Sequence, residues 1–332
     1  MSEEKLRPGK LPASLLRELL SGAAKPPSEV RVPPMVGEDA GVIDMPGGAL
    51  VAAADPITLT GKSVGAHAAL INANDVAVMG ARPRWFLAVV LLPPGTETSD
   101  VRELFTVMYE ALDGMGVTLV GGHTEITNAV TQPLVVGQMM GLREDGGFVR
   151  TGGLSAGDAV VQVGPAPVEG AAILAAEPAA PLTQIPDDSL RAAERAIENP
   201  GISVVNQALR ATELGALALH DPTEGGLSAG LHELAEASGV GLVVAEAEVQ
   251  WFEPGRRICR AFGLDPWGVL ASGTLLAGFS PDTVETACER LNADGYAATT
   301  IARAEAGGGV RLTSGEELIR YERDELSRLS EM

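Results

Sequence analysis

Through the first half of the chain, apolar positions alternate between helical spacing and short unbroken runs, and each switch marks a boundary between elements. Leu11, Leu15, Leu16, Leu19 and Leu20 fall at helical spacing, and Lys25-Pro26-Pro27-Ser28 ends that pattern. Residues 1–30 therefore read as an arm around one amphipathic helix. Gly41–Asp44 and Ala49–Ala54 are apolar strand segments split by the turn signal Pro46-Gly47-Gly48. Ser63 to Gly80 reads as a helix, with His67, Ile71, Asn74 and Val78 on one face. Trp85–Leu92 is an unbroken apolar run, which predicts a buried strand. Asp100 and Glu103 have capping-box spacing ahead of Leu104, Phe105, Met108, Leu112 and Met115, and Gly114 and Gly116 mark the end of that helix. Val117–Val120 predicts a strand leading into Gly121-Gly122-His123-Thr124-Glu125, and Leu134–Gly141 predicts another.

The polar, Gly-rich stretch Thr151–Gly157 is the natural domain boundary, giving an arm (1–30), an N-terminal domain (31–152) and a C-terminal domain (153–332). The second half opens with a strand at Ala159–Val163 and a helix near Gly170–Ala176, then a Pro/Ala-rich loop from Glu177 to Pro186. Helices are expected at Ser189–Ile197, Ser203–Leu214, Leu227–Ala237 and Thr283–Asn292, with strands at Ala216–Leu219, Gly241–Val244 and Ala297–Ala302. Strands mixed with long helices make the chain α/β or α+β.

Composition narrows the function. The formal net charge of −20 argues against a nucleic-acid or anionic-membrane partner. No apolar run reaches the ~20 residues of a spanning helix. No apolar segment follows Lys5, Arg7 and Lys10 as a leader would require, and Cys259 and Cys288 form no CxxC pair, so a reduced cytoplasm is expected. Lysine occurs only at positions 5, 10, 25 and 62, and no GxxxxGK[ST] is present. Any nucleotide must be held by metal, backbone amides or arginine.

Three groups of residues carry candidate chemistry. Asp39, Asp55, Asp75 and Glu125 each adjoin apolar sequence, where an unpaired carboxylate is costly and a cation is a natural partner. Taken singly, each Asp is more often a turn or helix cap; as a set bounded by apolar segments they favour the metal reading. Gly121-Gly122-His123-Thr124 after a strand offers close backbone approach and a hydroxyl, or simply a turn. His220-Asp221-Pro222-Thr223-Glu224-Gly225-Gly226 sits between a strand and a helix, as an anion site or as an ordinary N-cap. His67 and His232 read as satisfied helix-face residues, whereas His123 and His220 adjoin Gly-rich segments.

Gly37-Glu38-Asp39-Ala40, Ala54-Asp55-Pro56 and Asn74-Asp75-Val76-Ala77-Val78-Met79-Gly80-Ala81-Arg82-Pro83 resemble the ATP-binding half of the aminoimidazole ribonucleotide synthase superfamily. Asp221-Pro222-Thr223 with Gly225-Gly226-Leu227, Gly157-Asp158, Glu169-Gly170 and Ser272-Gly273-Thr274 resemble its hydrogenase-maturation branch most. The resemblance implies a two-domain α+β fold that dimerises by joining N-terminal sheets into a barrel. It also implies an ATP- and Mg²⁺-dependent enzyme acting on an oxygen of a small molecule or of a substrate borne by a partner maturation protein. By the same resemblance, Asp39, Asp55 and Asp75 hold Mg²⁺ and phosphate; with His123 where relatives carry an acid, either Glu125 takes over that metal contact or a metal site is lost. Lys10, Asn74, Gly121, Gly122, His123, Thr124, Glu169, Gly170, Thr223, Gly225 and Gly226 contact nucleotide or phosphate, and Asp221 or His220 handles the proton. A thiamine-monophosphate-type kinase and a non-catalytic nucleotide-binding assembly factor are the alternatives. Two features depart from the relatives: His123 stands where they carry an acid, and the final residues, Ser327-Arg328-Leu329-Ser330-Glu331-Met332, hold no modifiable cysteine.

Overall fold

A computed structural model describes residues 11–22, 24–58, 63–176, 179–321 and 323–331; Lys10 lies outside them. The chain forms two compact units. One comprises residues 27–33 and 39–149; the other takes residues 34–38, the chain from Arg150 onward and the described residues up to Pro26.

Helix α1 (Ala13–Ser21) belongs to the second unit, where Arg17 reaches Glu236 at 3.4 Å. The first unit then contains β1 (Val30–Val32), β2 (Gly41–Met45), β3 (Gly48–Ile57), α2 (Val64–Val78), β4 (Arg82–Leu92), α3 (Thr98–Met115), β5 (Thr118–Ile126) and β6 (Leu134–Arg143). Its sheet runs β1-β2-β3-β6-β4-β5, antiparallel except for β4 and β5, which α3 connects as a parallel crossover. Helix α2 is buried on all sides, packed between the sheet and α3, so its apolar pattern is not the single stripe of a surface helix. Helix α3 begins at Thr98, two residues ahead of the capping box read from sequence. Asp100 lies inside the first turn, and Glu97 at the N-cap caps no helix amide, its carboxylate instead accepting from Ser99 Oγ at 3.3 Å.

The larger departure concerns Gly121-Gly122. They lie within β5, not in a turn after it. Phe86 pairs with Leu119 and Leu87 with Gly121, so Val120 is an extra residue, a bulge, and pairing resumes beyond it. Glycine is what permits this: a Cβ on Gly122 (φ +148°) would fall 2.0 Å from the Ala88 carbonyl oxygen.

The second unit contains β7 (Ala159–Val163), α4 (Glu169–Ala176), α5 (Asp187–Glu194), α6 (Val205–Glu213), β8 (Ala218–His220), α7 (Gly226–Ser238), β9 (Gly241–Val244), α8 (Glu253–Phe262), β10 (Leu275–Phe279), α9 (Val284–Ala293), β11 (Ala298–Glu305) and β12 (Val310–Leu312). Its sheet order is β12-β9-β11-β7-β10-β8. Strands β7 and β10 are buried at every position, which is why neither alternates; the one polar residue in them, Gln162, donates to the Gly164 and Gln250 carbonyls. One apolar cluster gathers Leu227, Leu231, Leu234, Leu242, Leu276 and Ile301. A second joins α4, α5 and α8 through Leu174, Ala193 and Ile258.

Two glycine substitutions should act in opposite directions. Gly122→Ala forces β4 and β5 apart and should cost more than about 1 kcal/mol. Gly114→Ala, inside α3 with nothing within 4 Å of the new Cβ, should be neutral or stabilising by about 0.5–1 kcal/mol. Thermal melts of the two variants against the parent check the signs.

Candidate functional site

In the first unit the site begins with a buried amide. Strand β2 pairs with β3 only from Gly41↔Ala52 to Met45↔Gly48, so beyond Ala52 that edge of β3 has no strand neighbour among the described residues. Asn72 of α2 takes its place: Asp55 N–H donates to Asn72 Oδ1 (2.8 Å), and Asn72 Nδ2 donates to the Asp55 carbonyl (3.3 Å) and to Ala68 O (2.9 Å). The contact needs Gly137 on the neighbouring strand, because a Cβ there would lie 2.3 Å from Asn72 Nδ2. Asp55 itself is exposed, with its backbone fixed. Two and three residues further along the same helix, Asn74 and Asp75 are both buried. Asp39 is half-buried just before β2. Asn72 was not a sequence candidate, and its proximity to Asn74-Asp75 was the only signal.

The remaining predicted residues of this unit lie on β5. His123 Nε2 meets Glu125 Oε2 at 3.0 Å, two positions apart on one exposed face. Asp55 pairs with Gly137, Gly137 with Ala88, and Ala88 with Gly122. Three strand spacings of about 4.8 Å therefore separate Asp55 from the β5 cluster, roughly 14 Å along the sheet. Within one chain the structure does not bring Glu125 onto the ion that Asp55 would hold. Among the described residues no three His, Cys, Asp or Glu side chains gather to hold a metal. The Asp39, Asp55 and Asp75 donors are all oxygen. They fit a magnesium ion bound through one or two carboxylates and completed by phosphate and water, and not an all-protein cage.

In the second unit β8 ends at His220, followed by Asp221; both are buried. His220 Nε2 lies 2.8 Å from Glu233 Oε2 on α7. The turn Thr223–Gly226 leads into α7, and two of its amides already have acceptors: Gly226 N–H donates to Thr223 O, and Gly225 N–H donates to Asp324 Oδ2 at 2.9 Å. Gly225 (φ +82°) is also the only residue type that fits, since a Cβ would lie 2.4 Å from Tyr321 O. The C-terminal segment thus seals the turn. Tyr321 O–H donates to Asp265 (2.6 Å), His232 Nε2 meets Leu318 O (3.0 Å), Ser228 bonds Ile319 O, and Leu326 and Leu329 pack on the α4–α5–α8 cluster. Burial pushes the Asp324 carboxyl up to about 7, and the Glu224 and Glu169 charges add to the effect. The Leu326 and Gly225 amides oppose it. Glu169 is buried at the start of α4, and Gly170 N–H is taken by Leu270 O. Asp324 and Glu233 had no sequence signal: each meets its partner only through the fold.

Cys259 is buried and burial pushes its thiol up to about 12. Half-buried Cys288 is also raised by burial, so neither is a thiolate at neutral pH. No helix among the described residues is long and apolar enough to cross a membrane.

Two family models match: AIR synthase related protein, N-terminal domain, over residues 37–143, and its C-terminal domain over 155–315. The chain belongs to the AIR synthase related family. Among curated members it is similar to carbamoyl dehydratase HypE of Cupriavidus necator, 30% identical over 249 residues (73% of this chain, 68% of the relative). It is also similar to HypE of Rhodobacter capsulatus, 29% identical over 264 residues (77% and 75%). Solved structures share the fold as well. The hydrogenase maturation protein HypE in complex with ATP has a TM-score of 0.70 at 24% identity, covering 88% of this chain and 91% of that one. The HypE–HypF complex gives 0.72 at 21% (93% and 99%), and AaThiL complexed with AMPPCP and TMP gives 0.72 at 20% (92% and 94%). The mixed α/β two-domain AIR synthase-like fold expected from sequence is therefore present, with one six-stranded sheet in each unit.

Asp324 provides a pH test. Its folded-state carboxyl titrates above the ordinary 3.8, so the folded state holds a proton that the unfolded state has lost between those values. Stability from this group therefore declines as pH rises from about 4 to about 7, and the full penalty stands above that. The melting temperature of the parent relative to Asp324→Asn should fall by a few degrees between about pH 5 and pH 8. A flat difference would assign Asp324 an ordinary carboxyl.

Proposed function

We propose that this chain is a Mg²⁺- and ATP-dependent enzyme that activates an amide-type oxygen, as the name carbamoyl dehydratase implies for its HypE relatives. The observation that carries this reading is the Asn72 clamp, which fixes Asp55 against the helix presenting Asn74 and Asp75. In this reading Asp39, Asp55 and Asp75 hold Mg²⁺ and phosphate. Asn74, Gly121, Gly122 and Thr124 line the nucleotide, with Lys10 reaching it from the arm. His123 and Glu125 pair with each other on β5, about three strand spacings from Asp55, and reach the phosphates only if a second copy presents them. Glu169, Gly170, Thr223, Gly225 and Gly226 shape the substrate side of the second unit.

Magnesium supplies charge neutralisation on the phosphates. The chain's own groups position and exclude water. The amide oxygen attacks the γ-phosphorus and ADP leaves; loss of the phosphate with the two nitrogen-borne protons then gives a nitrile. Asp221 and the His220–Glu233 pair are the proton acceptors within reach of β8. Since both cysteines are held as thiols, the substrate is a free small molecule or a group on a partner maturation protein.

Calorimetry with ATP and Mg²⁺ tests the ligand assignment. Asp55→Asn and Asp75→Asn should each weaken binding about tenfold or more, equivalent to about 1.4 kcal/mol. Unchanged affinity in both removes these residues from the site. Release of phosphate only with a carbamoyl substrate supports the dehydratase; phosphoryl transfer to thiamine monophosphate overturns it for a kinase.

We also propose a homodimer built on β5. It is the last strand of its sheet, none of its nine residues is buried, and Val120 and Ile126 are 51% and 55% exposed. A strand edge of that kind calls for a partner, and a second copy's sheet completes a barrel. Light scattering at micromolar concentration should give twice the 34.2 kDa chain mass; a monomer there overturns it.

A further inference from the structure

The chain leaves the second unit after Glu38 and returns to it at Arg150. Those two residues are joined. Arg150 Nε and Nη2 lie 2.8 and 2.6 Å from the same Glu38 oxygen, Oε1. The Glu38 side chain is only 3% exposed, and its other oxygen, Oε2, is buried without a hydrogen-bond partner. The Arg150 backbone in turn bridges Ala218 of β8, and Leu219 N–H donates to the Arg150 carbonyl, two residues before Asp221.

As a source of stability this pair is poor. A carboxylate taken out of water recovers its desolvation cost only when both oxygens are well bonded, and here one has nothing. Apolar residues of similar size would serve the fold as well or better. What the pair does is fix a position. It pins the residue next to Asp39 to the same backbone that carries His220 and Asp221.

We propose that the Glu38–Arg150 pair is a positioning device for Asp39: it holds the start of the Asp39 segment where that carboxylate meets the metal ion of the bound nucleotide. This rests on the Mg-nucleotide reading above. The pair touches neither substrate nor metal; it acts through the chain between Glu38 and Asp39.

The test compares the full-length chain with Glu38→Met/Arg150→Met, and with Arg150→Lys as the conservative variant. Binding of the non-hydrolysable analogue AMPPNP is measured by calorimetry with Mg²⁺ and with EDTA, alongside melting temperature. The expected result is a double variant that melts no lower than the parent, binds metal-free AMPPNP equally, and binds Mg-AMPPNP at least tenfold more weakly. Arg150→Lys should fall between them. Parent-like Mg-AMPPNP binding in the double variant overturns the proposal. So does a drop in melting temperature with equal losses for both nucleotide forms, which marks a purely structural pair. Should the double variant not fold, Glu38→Gln and Arg150→Lys are read by the same two criteria. A parent that binds AMPPNP no better with Mg²⁺ than with EDTA sinks the nucleotide reading itself, a result separable from the others.

Discussion

The first unit depends on one side-chain amide standing in for a strand. Past Ala52 the outer edge of β3 would leave its peptide groups without partners, and Asn72 supplies a donor and an acceptor to Asp55. That bond sets the depth and rotation of α2. It also demands glycine at 137, and it places Asn74 and Asp75 at a fixed distance along the helix from an exposed carboxylate. A helix surrounded by apolar contacts would slide toward whichever packing is densest; a polar pair buried at one point gives it a unique register.

Close approach throughout this unit comes from small residues. Aromatics make up 4% of the chain, and α2 is rich in alanine. A Cβ on Gly65 would lie 2.3 Å from the Leu104 carbonyl, so α2 and α3 meet backbone to backbone. The second unit holds its functional turn differently. There the Gly225 amide is met by a carboxylate from the C-terminal segment, and the buried acid is retained by two backbone donors at the cost of its ionisation near neutrality.

Most elements of this architecture were legible as periodicity. Trp85–Leu92 was readable as a strand because the face opposite its buried one is still half-buried, leaving an unbroken apolar run, and Ala159–Val163 because burial at every position leaves Gln162 its one polar residue. Leu275–Phe279 has the same character, yet it drew notice only through the Ser272-Gly273-Thr274 motif; an Ala-Gly pair in its middle dilutes the β signal. Gly121-Gly122 misled in the opposite sense, because two glycines read as a turn where a bulged parallel pair needs them inside a strand. Asp39, Asp55, Asp75 and Glu125 stood out as acids beside apolar segments, and Asp221 as part of the motif at residues 220–226 between a strand and a helix. Asn72, Glu233 and Asp324 did not, since each is defined by a partner 17, 13 or 99 positions away that no local pattern reveals.

The way the two units share the chain bears on how a growing polypeptide acquires its shape. Residues 39–149 are continuous, and with β1 already synthesised they form a complete sheet and both of its helices by the time Val149 is made. The second unit is scattered: α1 and residues 34–38 emerge early, whereas the acceptor for Gly225 N–H comes from residue 324. Synthesis at about 5–20 residues per second leaves α1, with its leucines half covered at best, waiting roughly 10–40 seconds for its partner Glu236. During that interval the nascent chain carries one finished body and an apolar helix without a surface to lie on, which is the kind of segment a ribosome-associated chaperone shields.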